Sequence, residues 1–223
     1  MNRIPLEVDS FHHVYNRGVD KRIVFQEDAD YELFLIYLRI LNDTEIDSPT
    51  RNSPALDDFS WHLRGERLVD IIAYCLMPNH FHLLLHERRE GGISKFMQRL
   101  GTAYTMYFNE KNDRSGALFQ GRFKNKLVDE YNYLLHVIDY LHLNPYDLWL
   151  SQNKRVEGRK SISLFLEEYR WSSYQSYLTG TNNPILYREA LDEFVEVPAD
   201  YKSWLFEQND FSQIGHLLID DKK

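Results

Sequence analysis

Apolar and polar positions alternate in register along the first part of the chain, then switch to helical spacing and back. "FHHVYNRGV" (11–19) has the two-residue period of a strand that runs into a turn at Gly18. "DADYELFLIYLRILN" (28–42) repeats its apolar residues at helical spacing, with Asp28 or Asp30 as the expected N-cap. "LVDIIAYCLM" (68–77) and "HFHLLLHE" (80–87) are two apolar strands joined by the break "PN". "SKFMQRLGTAYTMYFNEKN" (94–112) is an amphipathic helix, expected to be capped by Ser94, whose stripe of Phe96, Met97, Leu100, Tyr104, Tyr107 and Phe108 is a core face. "RFKNKLV" (122–128) alternates as a short strand, and "DEYNYLLHVIDYLHLNP" (129–145) is a helix ended by Pro145.

Two segments read differently. Residues 43–67 are polar, contain two prolines and predict a long loop insertion. Beyond about residue 150 the helical segments "SISLFLEEYRWSSYQSYL" and "YREALDEFVE" predict a helical C-terminal extension. The division is therefore a domain over 1–150 and an extension over 151–223. The order strand, helix, strand, strand, helix, strand, helix predicts an α+β fold. Its expected form is a ferredoxin-like antiparallel sheet with helices on one side, followed by the extension.

Composition narrows the setting. The 223 residues include 15 Tyr, 13 Phe and 4 Trp, ample for a core, and a single cysteine, Cys75, excludes an internal disulfide and fits a reducing compartment. No apolar run reaches membrane-span length and the first residues lack a signal-peptide core, so the expected location is the cytoplasm, without a membrane partner. The net charge of −8 argues against nucleic acid at first sight. The charge is uneven, however. Residues 86–126 carry nine Lys and Arg against four acids, and residues 187–223 carry four bases against nine acids. A local basic face is compatible with the overall balance.

The chemistry starts with His80 and His82. On a strand, residues two apart share a face, so both imidazoles project together with Phe81 behind them. Two imidazoles at that spacing can share a divalent metal, or can equally be two hydrogen-bonded histidines on a sheet face. The helix over 129–145 places Tyr140 and Asn144 one turn apart on one face. Asn144 offers a carbonyl oxygen as a third ligand, and alternatively serves as a helix C-cap before Pro145. Tyr140 offers a hydroxyl beside an open metal site, the layout of metal-assisted nucleophilic catalysis, and alternatively is one more packed tyrosine.

"MPNHFHLLL", a helix ending "DYLHLNP", and then "YRWSSYQSYL" occur in that order, with "HHVYNRGVDKRIVF" before them and "GALFQGRFKNKLV" between. This series, over roughly residues 11–178, resembles the HUH-type single-tyrosine transposases of the insertion-sequence-200-like kind, and most of all the REP-associated tyrosine transposases. The resemblance implies that His80 and His82 are the histidine pair, that Tyr140 is the nucleophile and that Asn144 is the third ligand, where some relatives have Gln. It implies a metal-dependent enzyme, using Mg²⁺ or Mn²⁺, that nicks and rejoins single-stranded or hairpin DNA through a 5′-phosphotyrosine. REP-like palindromes are the expected substrate, and a monomer or homodimer the expected assembly. Arg17, Arg114, Arg122, Lys124 and Lys126 are the expected phosphate contacts, with Arg122, Lys124 and Lys126 alternating on one strand face. Tyr104 and Tyr107 are the next candidates for the nucleophile. His12 and His13 remain undecided between structure and site. Two other readings compete: a metal-dependent phosphohydrolase in which Tyr140 is structural, and a domesticated DNA-binding protein without turnover.

Overall fold

The computed structural model describes residues 6–46, 65–152, 159–191 and 193–208. Most of the loop expected over 43–67 and the last part of the acidic tail lie outside these residues. A four-stranded antiparallel sheet forms the centre. Its strands are β1 (Phe11–Arg17), β2 (Val69–Met77), β3 (His80–Glu87) and β4 (Lys124–Val128), in the spatial order β2-β3-β1-β4. This is the α+β, ferredoxin-like arrangement expected from the sequence. β2 and β3 form a hairpin through Pro78 and Asn79, and the Pro78 carbonyl accepts from the Val24 and Phe25 amides at 2.8 and 3.0 Å.

Helices α1 (Asp28–Ile40) and α2 (Gly92–Lys111) cover one face of the sheet. Phe81 of β3 meets Phe34 of α1 at 5.1 Å between ring centres, and Phe34 meets Tyr104 of α2 at 4.9 Å. Helix α1 begins after Glu27 rather than at an aspartate cap. Asp30 sits three residues in, and its carboxylate accepts from the Gln26 and Glu27 amides at 2.7 and 3.3 Å. Helix α2 starts two residues before Ser94, because Gly91 (φ 73°) supplies the left-handed turn and the buried Glu87 carboxylate accepts from the Ile93 amide at 2.8 Å.

The expectation of helices on one side describes α1 and α2. Helix α3 (Tyr131–Leu143) is added on the opposite face, over β2 and β3. Pro145 ends it, and α4 (Tyr146–Gln152) follows directly. The rest of the extension comprises α5 (Arg159–Glu168), α6 (Tyr174–Thr179) and α7 (Tyr201–Gln208). It runs along the outer edge of β2, where Leu76 N donates to Trp171 O (2.8 Å), Ser173 N to Tyr74 O (3.0 Å) and Tyr187 N to Ile71 O (2.9 Å). These bonds occupy an edge that would otherwise expose unpaired backbone. Among the described residues of the segment 187–196, expected as a helix, only Arg188–Ala190 form a short 3₁₀ turn, and Tyr187 N is drawn onto that edge.

Candidate active site

Register decides which side chains meet. Arg17 of β1 pairs with His80, and Tyr15 with His82, while Lys124 and Lys126 of β4 pair with Tyr15 and His13. Directly opposed residues share a face. His13, Tyr15, Arg17, His80, His82, Lys124 and Lys126 therefore stand on one face, the face covered by α3. Phe81 turns the other way into the core, as expected.

Tyr140 completes the cluster. Its ring centre lies 5.5 Å from that of His82 and 5.6 Å from that of His13, edge to face with both. His80 and His82 are 4.9 Å apart between ring centres. Tyr140 and His80 are half-buried, whereas His82 and His13 are buried. Tyr104 and Tyr107 lie across the sheet. Tyr104 donates to Val24 O and Tyr107 to the Asp30 carboxylate, each at 2.7 Å, which removes both from the histidine face.

The hydrogen bonds around the histidines constrain their tautomers. Asn79 donates its amide N–H to Lys21 O at 3.3 Å, so its Oδ1 is the atom facing His80 Nδ1 at 2.6 Å. An amide oxygen only accepts, hence His80 Nδ1 carries a proton, and in the neutral ring Nε2 is the nitrogen with the lone pair. His82 Nδ1 lies 2.9 Å from His13 Nε2. Burial, followed by the neighbouring His80, His13, Arg17 and Lys126, pushes His82 well below the usual histidine range. Burial and then Lys126 push His13 down to about 3. Burial thus favours the neutral form of both rings.

Asn144 closes the end of α3 with both its backbone and its side chain. As the C-cap of α3, its backbone N–H turns to Leu141 O, and its side-chain Nδ2 donates to the Tyr140 carbonyl at 2.9 Å. Oδ1 remains as the acceptor, so the cap and the ligand reading are compatible. Among the described residues no three His, Cys, Asp or Glu are placed to share a metal. A cation at this face would depend on an amide oxygen beside the two imidazoles. The nitrogen, nitrogen and oxygen donors of His80, His82 and Asn144 fit such an ion chemically.

The expected phosphate contacts divide. Arg17, Lys124 and Lys126 share the histidine face, with Lys124 Nζ 5.6 Å over the Tyr15 ring. Arg122 precedes β4 in an exposed bend, so only Lys124 and Lys126 alternate on the strand. Arg114 holds the loop after α2, donating to Asn109 Oδ1 and to Ala117 O (3.0 Å). His13, undecided from sequence, and Asn79, in the break between the strands, each contact one of the paired histidines. The signal available for His13 is its spacing of two residues from Tyr15 and four from Arg17, which puts all three on one strand face. Its neighbour His12 faces the other way, contacting Ser10 Oγ at 2.9 Å and Asn125 Nδ2 at 3.3 Å.

Gly18 fixes the mouth of the site. Its N–H donates to Asn79 O at 2.9 Å, and an added Cβ would fall 2.5 Å from Arg22 O. Only glycine lets the chain after β1 fold back this tightly on Arg22 and Val24.

Comparison with known proteins finds one matching family and similar solved structures. The family described as "Transposase IS200 like" matches residues 53–144, a stretch that includes both histidines, Tyr140 and Asn144. That family is one of transposase enzymes. Among solved structures, one of a REP-associated tyrosine transposase bound to a REP hairpin is similar at 14% identity and a TM-score of 0.47, covering 84% of this chain and 90% of that one. No curated protein matches the chain. Among the described residues no helix is long and apolar enough to cross a membrane. The similarity to the IS200-like transposases thus spans less than half of the chain, and that stretch contains His80, His82, Tyr140 and Asn144.

Proposed function

We propose that the chain nicks and rejoins single-stranded DNA, hairpins of REP-like sequence in particular, with Tyr140 as the nucleophile. The observation that supports this reading is the half-buried Tyr140 ring held against His82 and His13, on the sheet face that also carries His80 and three basic side chains.

The phenolic oxygen of Tyr140 attacks a backbone phosphorus and the bond to the 3′-oxygen breaks. The products are a 5′-phosphotyrosine and a 3′-hydroxyl. A phenol is protonated at neutral pH, so its proton leaves to water during attack and the departing oxygen gains one. The phosphodiester bond energy is retained in the covalent adduct. Attack by another 3′-hydroxyl then joins strands without a nucleotide cofactor.

His80 Nε2, His82 Nε2 and Asn144 Oδ1 would hold a divalent cation, Mg²⁺ or Mn²⁺. When bound, the ion would neutralise and polarise the phosphate oxygens. Ligation through His82 Nε2 requires Nδ1–H to donate to His13 Nε2, which makes His13 the residue that fixes the tautomer, as Asn79 does for His80. Arg17, Lys124 and Lys126 grip the backbone on either side of the reacting phosphate.

The test is incubation of the chain with Mn²⁺ and a hairpin labelled on the 3′ side of the cut, followed by denaturing electrophoresis. A labelled band that migrates with the protein is the expected result. Cut DNA without that band would mean that water is the nucleophile, the phosphohydrolase reading. Binding with neither cut nor adduct would mean a DNA-binding protein without turnover.

A further inference from the structure

A second buried cluster lies on the far side of α3, outside the histidine face. Asp139 and His142 flank Tyr140 in sequence and turn away from it. The Tyr201 hydroxyl, from the first turn of α7, donates to Asp139 Oδ1 at 2.8 Å and lies 2.8 Å from His142 Nδ1. His142 Nε2 lies 2.8 Å from Ser173 Oγ, and Ser173 Oγ accepts from the Tyr74 N–H of β2 at 3.0 Å. Asp139, His142, Ser173 and Tyr201 are all buried.

The protons in this chain can be assigned by counting. A carboxylate only accepts, so the single proton of Tyr201 goes to Asp139. Tyr201 then accepts from His142, which places the imidazole proton on Nδ1. His142 Nε2 accepts from Ser173 at 2.8 Å, the shorter of that hydroxyl's two contacts, the other being Tyr74 O at 3.2 Å, and the Ser173 oxygen accepts from the Tyr74 amide. Each donor in the series is used once and every bond points the same way. The series starts on β2, crosses the start of α6, and ends on α3 by way of α7. Tyr177 of α6 adds a parallel tie, donating to Ile72 O of β2 at 2.9 Å.

These bonds fix α3 in rotation and along its axis. A helix held at 139 and 142 cannot rotate without carrying Tyr140 off the His82 ring. We infer that Tyr201, from the C-terminal extension and outside the 53–144 family match, is a positioning residue for Tyr140, acting through Asp139 and His142. The inference rests on the proposed role of Tyr140 for its catalytic consequence, while the clamp itself is a property of the fold. The extension thereby has a task beyond covering the β2 edge: it aims the nucleophile.

The test uses the full chain with Tyr201→Phe, which keeps the ring and removes the bridging oxygen, and Ser173→Ala, which breaks the series at its other end. Two quantities are read at a temperature well below unfolding. The first is hydrogen exchange of the α3 amides, expected to be about tenfold faster in each variant while β1 and β3 exchange as in the wild type. The second is single-turnover adduct formation on the hairpin, expected to slow about tenfold with hairpin Kd and Mn²⁺ affinity within about twofold of wild type. A merely structural role would lower the unfolding temperature and leave the rate of the folded protein unchanged. Wild-type α3 exchange in both variants, or a wild-type rate in both, overturns the clamp. If the wild type itself forms no adduct, the proposed reaction has failed, and the exchange measurement alone decides the clamp.

Discussion

His13 Nε2 and His82 Nδ1 lie 2.9 Å apart, joining a residue near the N-terminus to the histidine pair 69 positions later. One of the two nitrogens carries the shared proton. A ligand role for His82 requires that it be His82's own.

His13→Ala removes the acceptor and should lower Mn²⁺ affinity about 10- to 100-fold, the usual cost of losing a group that orients a ligating imidazole. His13→Gln, whose side-chain oxygen can accept, should recover part of it. Calorimetric titration of Mn²⁺ into the DNA-free proteins measures both. Wild-type affinity in His13→Ala would remove His13 from the site.

Arg17, Lys124 and Lys126 share the histidine face, whereas Arg114 supports a loop. Neutralising the three together should weaken single-strand binding and reduce the slope of log affinity against log salt by about 2, at roughly 0.7 per lost phosphate contact. Arg114→Ala should instead lower the unfolding temperature and leave the salt slope unchanged. Affinity measured by anisotropy at several salt concentrations separates the two outcomes, and an unaltered slope in the triple variant would move the DNA path elsewhere.

Asp30 is buried, accepts from Tyr107, and pairs with Lys111. Burial would raise its carboxyl pKa, but the hydrogen bonds from Lys111, Tyr107 and the Gln26 amide outweigh burial and hold it below its ordinary value. A depressed carboxyl stabilises the fold above its unfolded pKa of about 3.9, and that contribution is lost as pH falls through the lower folded value. Asp30→Asn should therefore cost about 2–4 kcal/mol near neutral pH. The gap from wild type should narrow below about pH 4. Denaturant melts across pH measure it, and a gap independent of pH would contradict the assignment.

How much of this was legible beforehand follows from the range of the interactions. Strand β3 occupies 80–87, as its apolar run between the "PN" break and Glu87 implied, because period and turn chemistry are local. Tyr140 and Asn144 could be set on one helix face for the same reason. Which of His12 and His13 faces the site could not be read, since adjacent strand residues point opposite ways and only pairing with β3 chooses between them. The role of Arg114 was hidden because its partners, Asn109 and Ala117, are brought to it by the fold of the loop. The 187–196 segment had helical spacing, but the bond from Tyr187 N to Ile71 O ties it to an edge strand more than a hundred residues earlier.

The most direct measurement is adduct formation by Tyr140→Phe beside wild type. The substitution deletes one oxygen and keeps the ring that meets His82 and His13. Unfolding temperature, Mn²⁺ affinity and hairpin Kd should stay close to wild type, because the proposed ligands and phosphate contacts are untouched. The covalent band on a denaturing gel should disappear, with the adduct rate down by at least about 10³-fold. Tyr133→Phe, at an exposed position on the same helix, should form the band at the wild-type rate. A labelled adduct that persists in Tyr140→Phe would contradict the account, and so would wild-type cutting by that variant without an adduct.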